Sequence, residues 1–238
     1  MAINHNIEIL WLGHAAFRIT SPNGTVILTD PFHTGNPATP VEHRVQENVN
    51  LILPSHGHGD NFADTMDIAN RTGATTACIY EIGQYLERQG VKNVISMNIG
   101  GTIAFKDLHV TMTPAWHSSS IADGDQLLPG GTACGFVITF GDGYTIYFSG
   151  DTAAFLDMQL IAKLRKPDLA ILSIGDHFTM GPKGAAEAIR MLGVKSVIPM
   201  HYGTFPMLTG TPEQLRVEAS DIDGLEIHVL EPGESLRV

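Results

Sequence analysis

The chain has 238 residues, 43% of them apolar, which is enough for one layered domain over residues 1–238 with a sizeable core. Its 14 Lys and Arg face 25 Asp and Glu, a formal charge of -11, with no basic cluster of the kind that grips a phosphate backbone. Its first residues show no basic segment followed by an apolar stretch, and no apolar run approaches the roughly 20 residues needed to cross a bilayer, so the expectation is a soluble, cytoplasmic protein with no nucleic-acid partner and no membrane insertion.

In chain order, residues 7 to 12, 15 to 20 and 25 to 29 are short, β-rich runs separated by Gly13-His14 and Ser21-Pro-Asn-Gly, and predict an antiparallel meander. Alternation follows. Helical patterns at about 62–71, 81–89, 155–165, 182–192 and 212–219 interleave with strand-like runs at 51–53, 75–79, 94–98, 168–174, 195–200 and 226–230. Pro182 and Pro212 suit the first turns of their helices, with Thr211 as an N-cap. Residues 102–149 predict further antiparallel strands, interrupted by a loop at 118–132 that borders the cleft as a wall or lid. This pattern predicts an α/β chain folded as a four-layer αββα sandwich. Cys78 and Cys134 lie in apolar contexts and are expected as small core residues without a disulfide.

The most informative stretch is Leu53-Pro-Ser-His-Gly-His-Gly-Asp-Asn61, which packs His56, His58 and Asp60 into five residues at the end of an apolar run. Histidines two apart on a turn can aim ring nitrogens at one point, and an Asp two further on can reach a second point nearby. A lone His-x-His is an ordinary polar turn. Here three more strand-like runs end in ligand types: His117 after His109 to Trp116, Asp151 after Tyr144 to Gly150, and His201 after Ser196 to Met200. Loops at one edge of a layered sheet protein converge on a common crevice, where such side chains can meet round a metal. Tyr202, Thr204 and Phe205 follow His201 and are expected to offer a hydroxyl donor and an apolar wall.

The order His-x-His-x-Asp, His, Gly-Asp-Thr, His resembles the metallo-β-lactamase superfamily over nearly the whole chain. Ile9-Leu-Trp-Leu-Gly-His-Ala-Ala-Phe, Leu28-Thr-Asp-Pro-Phe, Ala115-Trp-His-Ser-Ser, Phe178-Thr-Met-Gly-Pro and His201-Tyr-Gly-Thr-Phe-Pro resemble its UPF0173 branch of metal-dependent hydrolases. That branch is similar to the ascorbate-6-phosphate lactonases and the N-acyl-phosphatidylethanolamine phospholipases D. The resemblance implies the metallo-β-lactamase fold, with His56, His58 and His117 holding one metal, Asp60 and His201 helping to hold a second, and Asp151 bridging them. It also implies that Asp30 supports the site from behind the ligands and that His177 lies near the cleft; His14 and Tyr202 are likewise expected behind the ligands or in the cleft. One departure stands out: the family's second-site His after the Asp is Asn61 here, a weaker ligand for zinc. Asn61 could still bind through its oxygen, His177 could approach, or the second metal could be weak or absent.

The chemistry expected of such a site is hydrolysis of a small-molecule lactone, ester, amide or phosphodiester by a metal-bound hydroxide, with Asp60 orienting it and taking its proton. The cofactor expected is one or two divalent ions, zinc first and manganese, iron or nickel as alternatives. Two other classes stay open: a metal-binding or sensor protein whose catalysis has decayed, and a di-iron redox protein, which in related chains carries Glu where His58 stands here. A homo-oligomer is compatible with the sequence.

Overall fold

The computed structural model describes residues 4–238. A meander opens the chain: β1 (Glu8–Gly13), β2 (Ala16–Thr20) and β3 (Val26–Thr29) pair antiparallel in order. β4 (Leu51–Leu53) then runs parallel to β3 and leads into the short helices α1 (Gly59–Phe62) and α2 (Thr65–Thr72). β5 (Thr75–Ile79), α3 (Tyr80–Arg88) and β6 (Val94–Met97) complete the first half. The second half begins with β7 (Thr102–Phe105) and β8 (Leu108–Pro114) and continues through β9 (Ser120–Asp123), β10 (Gln126–Pro129), β11 (Cys134–Thr139) and β12 (Thr145–Phe148). Three βα steps end it: α4 (Met158–Arg165) before β13 (Leu169–Ser173), α5 (Pro182–Leu192) before β14 (Ser196–Met200), and α6 (Pro212–Glu218) before β15 (Glu226–Ile227). β16 (Ser235–Arg237) returns to pair with β1.

Two seven-stranded mixed sheets result, in the orders β16-β1-β2-β3-β4-β5-β6 and β15-β14-β13-β12-β11-β8-β7. Period-two alternation assigns each face. On β11 and β12, Phe136, Ile138, Ile146 and Phe148 point into the core between the sheets, while Val137 and Tyr147 point into the layer beneath α4, α5 and α6. Phe17 and Phe148 meet edge to face at 6.4 Å across the inter-sheet core. On the other side Ile68, Ile82 and Leu86 bring α2 and α3 onto the first sheet. The architecture is therefore the expected αββα sandwich, and at about 25 cal/mol per Å² of apolar surface this double core is its main source of stability. Helix ends follow local chemistry: Pro182 opens α5, Gly193 closes it in the left-handed conformation, and Thr211 with Gln214 forms a capping box on α6.

Two expectations need correcting. Residues 118–132 are not an open loop: β9 and β10 form a hairpin whose two-residue turn is Gly124-Asp125, and its base packs through buried Ile121. The strand expected over 226–230 has only two residues, because the chain turns from it to Pro232 and β16. Cys78 and Cys134 are buried free thiols. Among the described residues no helix is long and apolar enough to cross a membrane.

Candidate metal centre

In both sheets the carboxyl ends of β1, β3, β4, β8, β12 and β14 deliver their next residues to one edge. Three of these residues, His14, Asp30 and His201, sit in the left-handed region with φ of 58°, 41° and 58°. Non-glycine residues enter that region at a cost of order 1–2 kcal/mol each, and such strain collects at functional sites. Backbone bonds tie the sheets together at this edge: the His201 N–H donates to the His14 carbonyl at 3.0 Å, and the Cys134 N–H donates to that of Ser55 at 3.0 Å. Gly175 is obligatory here, because a Cβ on it would overlap the His201 carbonyl oxygen. Gly57 is equally constrained, since its Cβ would meet Ile121 at 2.7 Å and the Ser120 oxygen at 2.8 Å.

His56, His58 and His117 come together as one cluster, their nearest ring nitrogens all within 4.8 Å. His56 Nε2 and His58 Nδ1 are 3.0 Å apart. Four ligands around zinc at bonds of about 2.0–2.1 Å are separated by about 3.3 Å, so the rings already stand near ligand spacing. His56 is wholly buried, whereas His58 and His117 are half-buried, which makes a dry floor and an open rim. Burial pushes the His56 ring down to about 3, and burial also lowers that of His117, so both are neutral at physiological pH and offer a lone pair.

The tautomer of His56 is set from behind. Ser55 Oγ donates to Asp30 Oδ2 at 2.8 Å, so the hydroxyl oxygen is left to accept from His56 Nδ1–H at 3.0 Å, and Nε2 faces the cluster. Asp30 also accepts from the Ser55 backbone N–H at 2.6 Å and from the Asn61 amide at 3.0 Å. It is fully buried, and burial raises its carboxyl to about 8.

A second cluster joins His14, Asp60 and His201, again with ligand atoms within 4.8 Å. His14 Nε2 lies 3.2 Å from Asp60 Oδ2, and the His14 and His201 rings are 4.0 Å apart. Between the clusters sits buried Asp151, whose Oδ2 is 2.9 Å from His201 Nε2 and 3.9 Å from His56 Nε2. Burial works against ionising Asp151, but the adjacent His201 and His56 outweigh it and hold the carboxyl far below the usual range. The same pairing outweighs burial at His201 and raises it. At Asp60, burial is outweighed by the His14 ring beside it, and the carboxyl stays low. Burial lowers His14 itself, which is neutral. The His201–Asp151 approach is close but lacks hydrogen-bond geometry, and neither His201 ring nitrogen has a hydrogen-bond partner. Neutral imidazoles facing carboxylates, with an orphaned buried ring between them, fit a divalent cation.

The remaining sequence-derived residues fall differently. Asn61 does not project into an open cleft: it is buried, and its amide nitrogen points to Asp30 and, at 3.5 Å, to Asp151. His177 is exposed, stacks edge-on against Phe178, and belongs to neither cluster. Tyr202 stacks on Trp11 at 5.3 Å and lines a separate cavity of about 360 Å³ with Glu213 and Glu231, so its hydroxyl is not part of the cleft wall. Phe205, in contrast, meets the His14 ring edge to face at 5.6 Å, and Thr204 bonds to it. Ser55 escaped the sequence reading because a serine before His-x-His carries no signal of its own. His33 escaped it too: its ring is buried with no partner for either nitrogen.

Comparison with known proteins gives the family. Residues 25–202 match the family described as a beta-lactamase superfamily domain. A UPF0173 metal-dependent hydrolase of Koribacter versatilis is 46% identical over 229 residues, covering 96% of this chain and 97% of its own length. One from Rubrobacter xylanophilus is 49% identical over 231 residues, covering 96% of both. Among solved structures, Igni18, a metallo hydrolase from the hyperthermophilic archaeon Ignicoccus hospitalis, superposes with a TM-score of 0.85 at 33% identity over 97% of each chain.

Proposed function

The chain belongs to the UPF0173 metal-dependent hydrolases of the metallo-β-lactamase superfamily, and from that premise we propose that it hydrolyses a small-molecule lactone, ester, amide or phosphodiester at the His56-His58-His117 cluster. The observation that carries this reading is the convergence of three histidines, with His56 Nε2 and His58 Nδ1 3.0 Å apart and Asp151 beside them. His56, His58 and His117 would hold the ion, zinc being the best match to three imidazoles, with Asp151 completing the set. When bound there, such an ion supplies Lewis acidity and brings the pKa of a water ligand from 15.7 toward roughly 7.

The chain's own residues do the rest. Ser55 and Asp30 fix the His56 tautomer so that its lone pair faces inward. Asp60, half-buried at the rim and held ionised, orients the attacking water and accepts its proton. Ser118, whose hydroxyl is 3.5 Å from His58 Nε2, steadies the outer ring.

The test is a panel of aryl esters, γ-lactones, anilides and bis(aryl) phosphates offered to protein loaded with zinc or manganese. The expected result is turnover of one class that disappears on chelation, returns with metal and is absent in His58→Ala. Metal binding without turnover of any class would support a sensor instead.

A further inference from the structure

We infer that His14 supplies the imidazole of a second divalent-cation site, shared with Asp60 and His201, in place of the ligand that Asn61 does not offer. The inference rests on the metal-dependent reading above and assigns a residue to it. The three side chains present ligand atoms within 4.8 Å of one another, and His14 Nε2 to Asp60 Oδ2 is 3.2 Å. That is close to the roughly 3.3 Å expected between ligands of one tetrahedral ion. His201 is 1% exposed, yet neither of its ring nitrogens has a hydrogen-bond partner. Its Nε2 lies 2.9 Å from Asp151 Oδ2 without hydrogen-bond geometry and its Nδ1 faces no partner, an arrangement that is unfavourable for a buried ring unless something fills the gap.

Asn61 is otherwise engaged. Its amide nitrogen donates to Asp30 at 3.0 Å and sits 3.5 Å from Asp151, so the amide is turned toward these two groups and not presented as a ligand. The imidazole comes instead from the turn after β1, where backbone and side chain are both committed. His14 and His201 each adopt a left-handed φ of 58° and are joined by the His201 N–H to His14 carbonyl bond. Trp11 Nε1 donates to the same carbonyl at 3.0 Å. This clamp fixes the rings 4.0 Å apart although the residues come from different sheets.

His14 can also switch tautomer without gaining or losing a proton. With no ion, Nε2–H donates to Asp60. With an ion, the proton sits on Nδ1 and donates to Thr204 Oγ1 at 3.0 Å, whose own hydrogen can turn to the Tyr202 carbonyl at 3.5 Å. Nε2 then presents its lone pair. Two imidazoles with carboxylate oxygens suit zinc, iron(II) or manganese(II).

The experiment counts metal. Metal-free protein is dialysed against cobalt(II) or zinc and analysed by mass spectrometry for ions per chain. The expected result is about two for the unmodified protein and one for His14→Ala and His14→Gly, the glycine variant being free to adopt the left-handed backbone. Two ions retained in either variant would overturn the assignment. One ion in the unmodified protein would overturn it while leaving the first cluster intact, and none would overturn the metal-dependent reading with it. Should both variants melt below the assay temperature, ¹⁵N spectra of the unmodified protein decide: the His14 Nε2 signal must move by the second equivalent of zinc, and an unmoved signal rejects the assignment.

Discussion

Ser55→Ala removes one oxygen atom and tests how the site is organised. Ser55 Oγ makes two buried bonds, to Asp30 Oδ2 at 2.8 Å and from His56 Nδ1 at 3.0 Å, while the backbone bond of Ser55 to Asp30 survives the change. Loss of the hydroxyl leaves the His56 Nδ1–H buried without an acceptor, at about 1–3 kcal/mol, and takes one bond from a carboxylate that retains two others. The expected destabilisation of metal-free protein is about 3 kcal/mol in urea unfolding near pH 7.5, with an unchanged denaturant slope. Because His56 then loses its tautomer control, zinc affinity measured by chelator competition should fall about 10–100-fold. A variant within about 0.5 kcal/mol of the parent, with unchanged zinc affinity, would refute the relay from Asp30 through Ser55 to His56.

Other expectations follow from the same geometry. His33 is held at about 4 by burial, against 6.5 in the unfolded chain. The unfolded state therefore binds more protons between these values, and stability present above pH 6.5 is lost as pH falls toward 4, by about 3 kcal/mol from this group. His33→Leu should flatten that part of the stability–pH curve without lowering stability at neutral pH, and an unchanged slope would count against it. Gly175→Ala should cost at least about 1–3 kcal/mol in thermal or urea unfolding, because the methyl group displaces the His201 backbone; a neutral result would mean that the turn is not so constrained. Metal should raise the melting temperature near pH 7.5 and lose that effect by about pH 5, since protons compete for imidazole; a chelator without effect at either pH contradicts a structural metal.

Much of this was legible in the sequence because it is local. The meander, the alternating βα steps, Pro182 and Thr211 at helix starts, and ligand types just past strand ends all follow from short-range pattern. The hairpin at Gly124-Asp125 was not legible, because the glycines and serines around it read as loop. Direction was not legible. Tyr202 follows His201 directly, yet it turns onto Trp11; Asn61 follows Asp60, yet it turns inward to Asp30. His14 owes its place to a left-handed backbone and to a bond with His201, 187 residues away along the chain. No local periodicity encodes such a contact.

The most direct measurement is a crystal structure of the zinc-loaded protein with anomalous data collected at the metal edge. The account predicts a peak bonded to ring nitrogens of His56, His58 and His117 at about 2.0–2.1 Å, with Asp151 on its inner side. Saturating zinc with no peak among those three rings would contradict it.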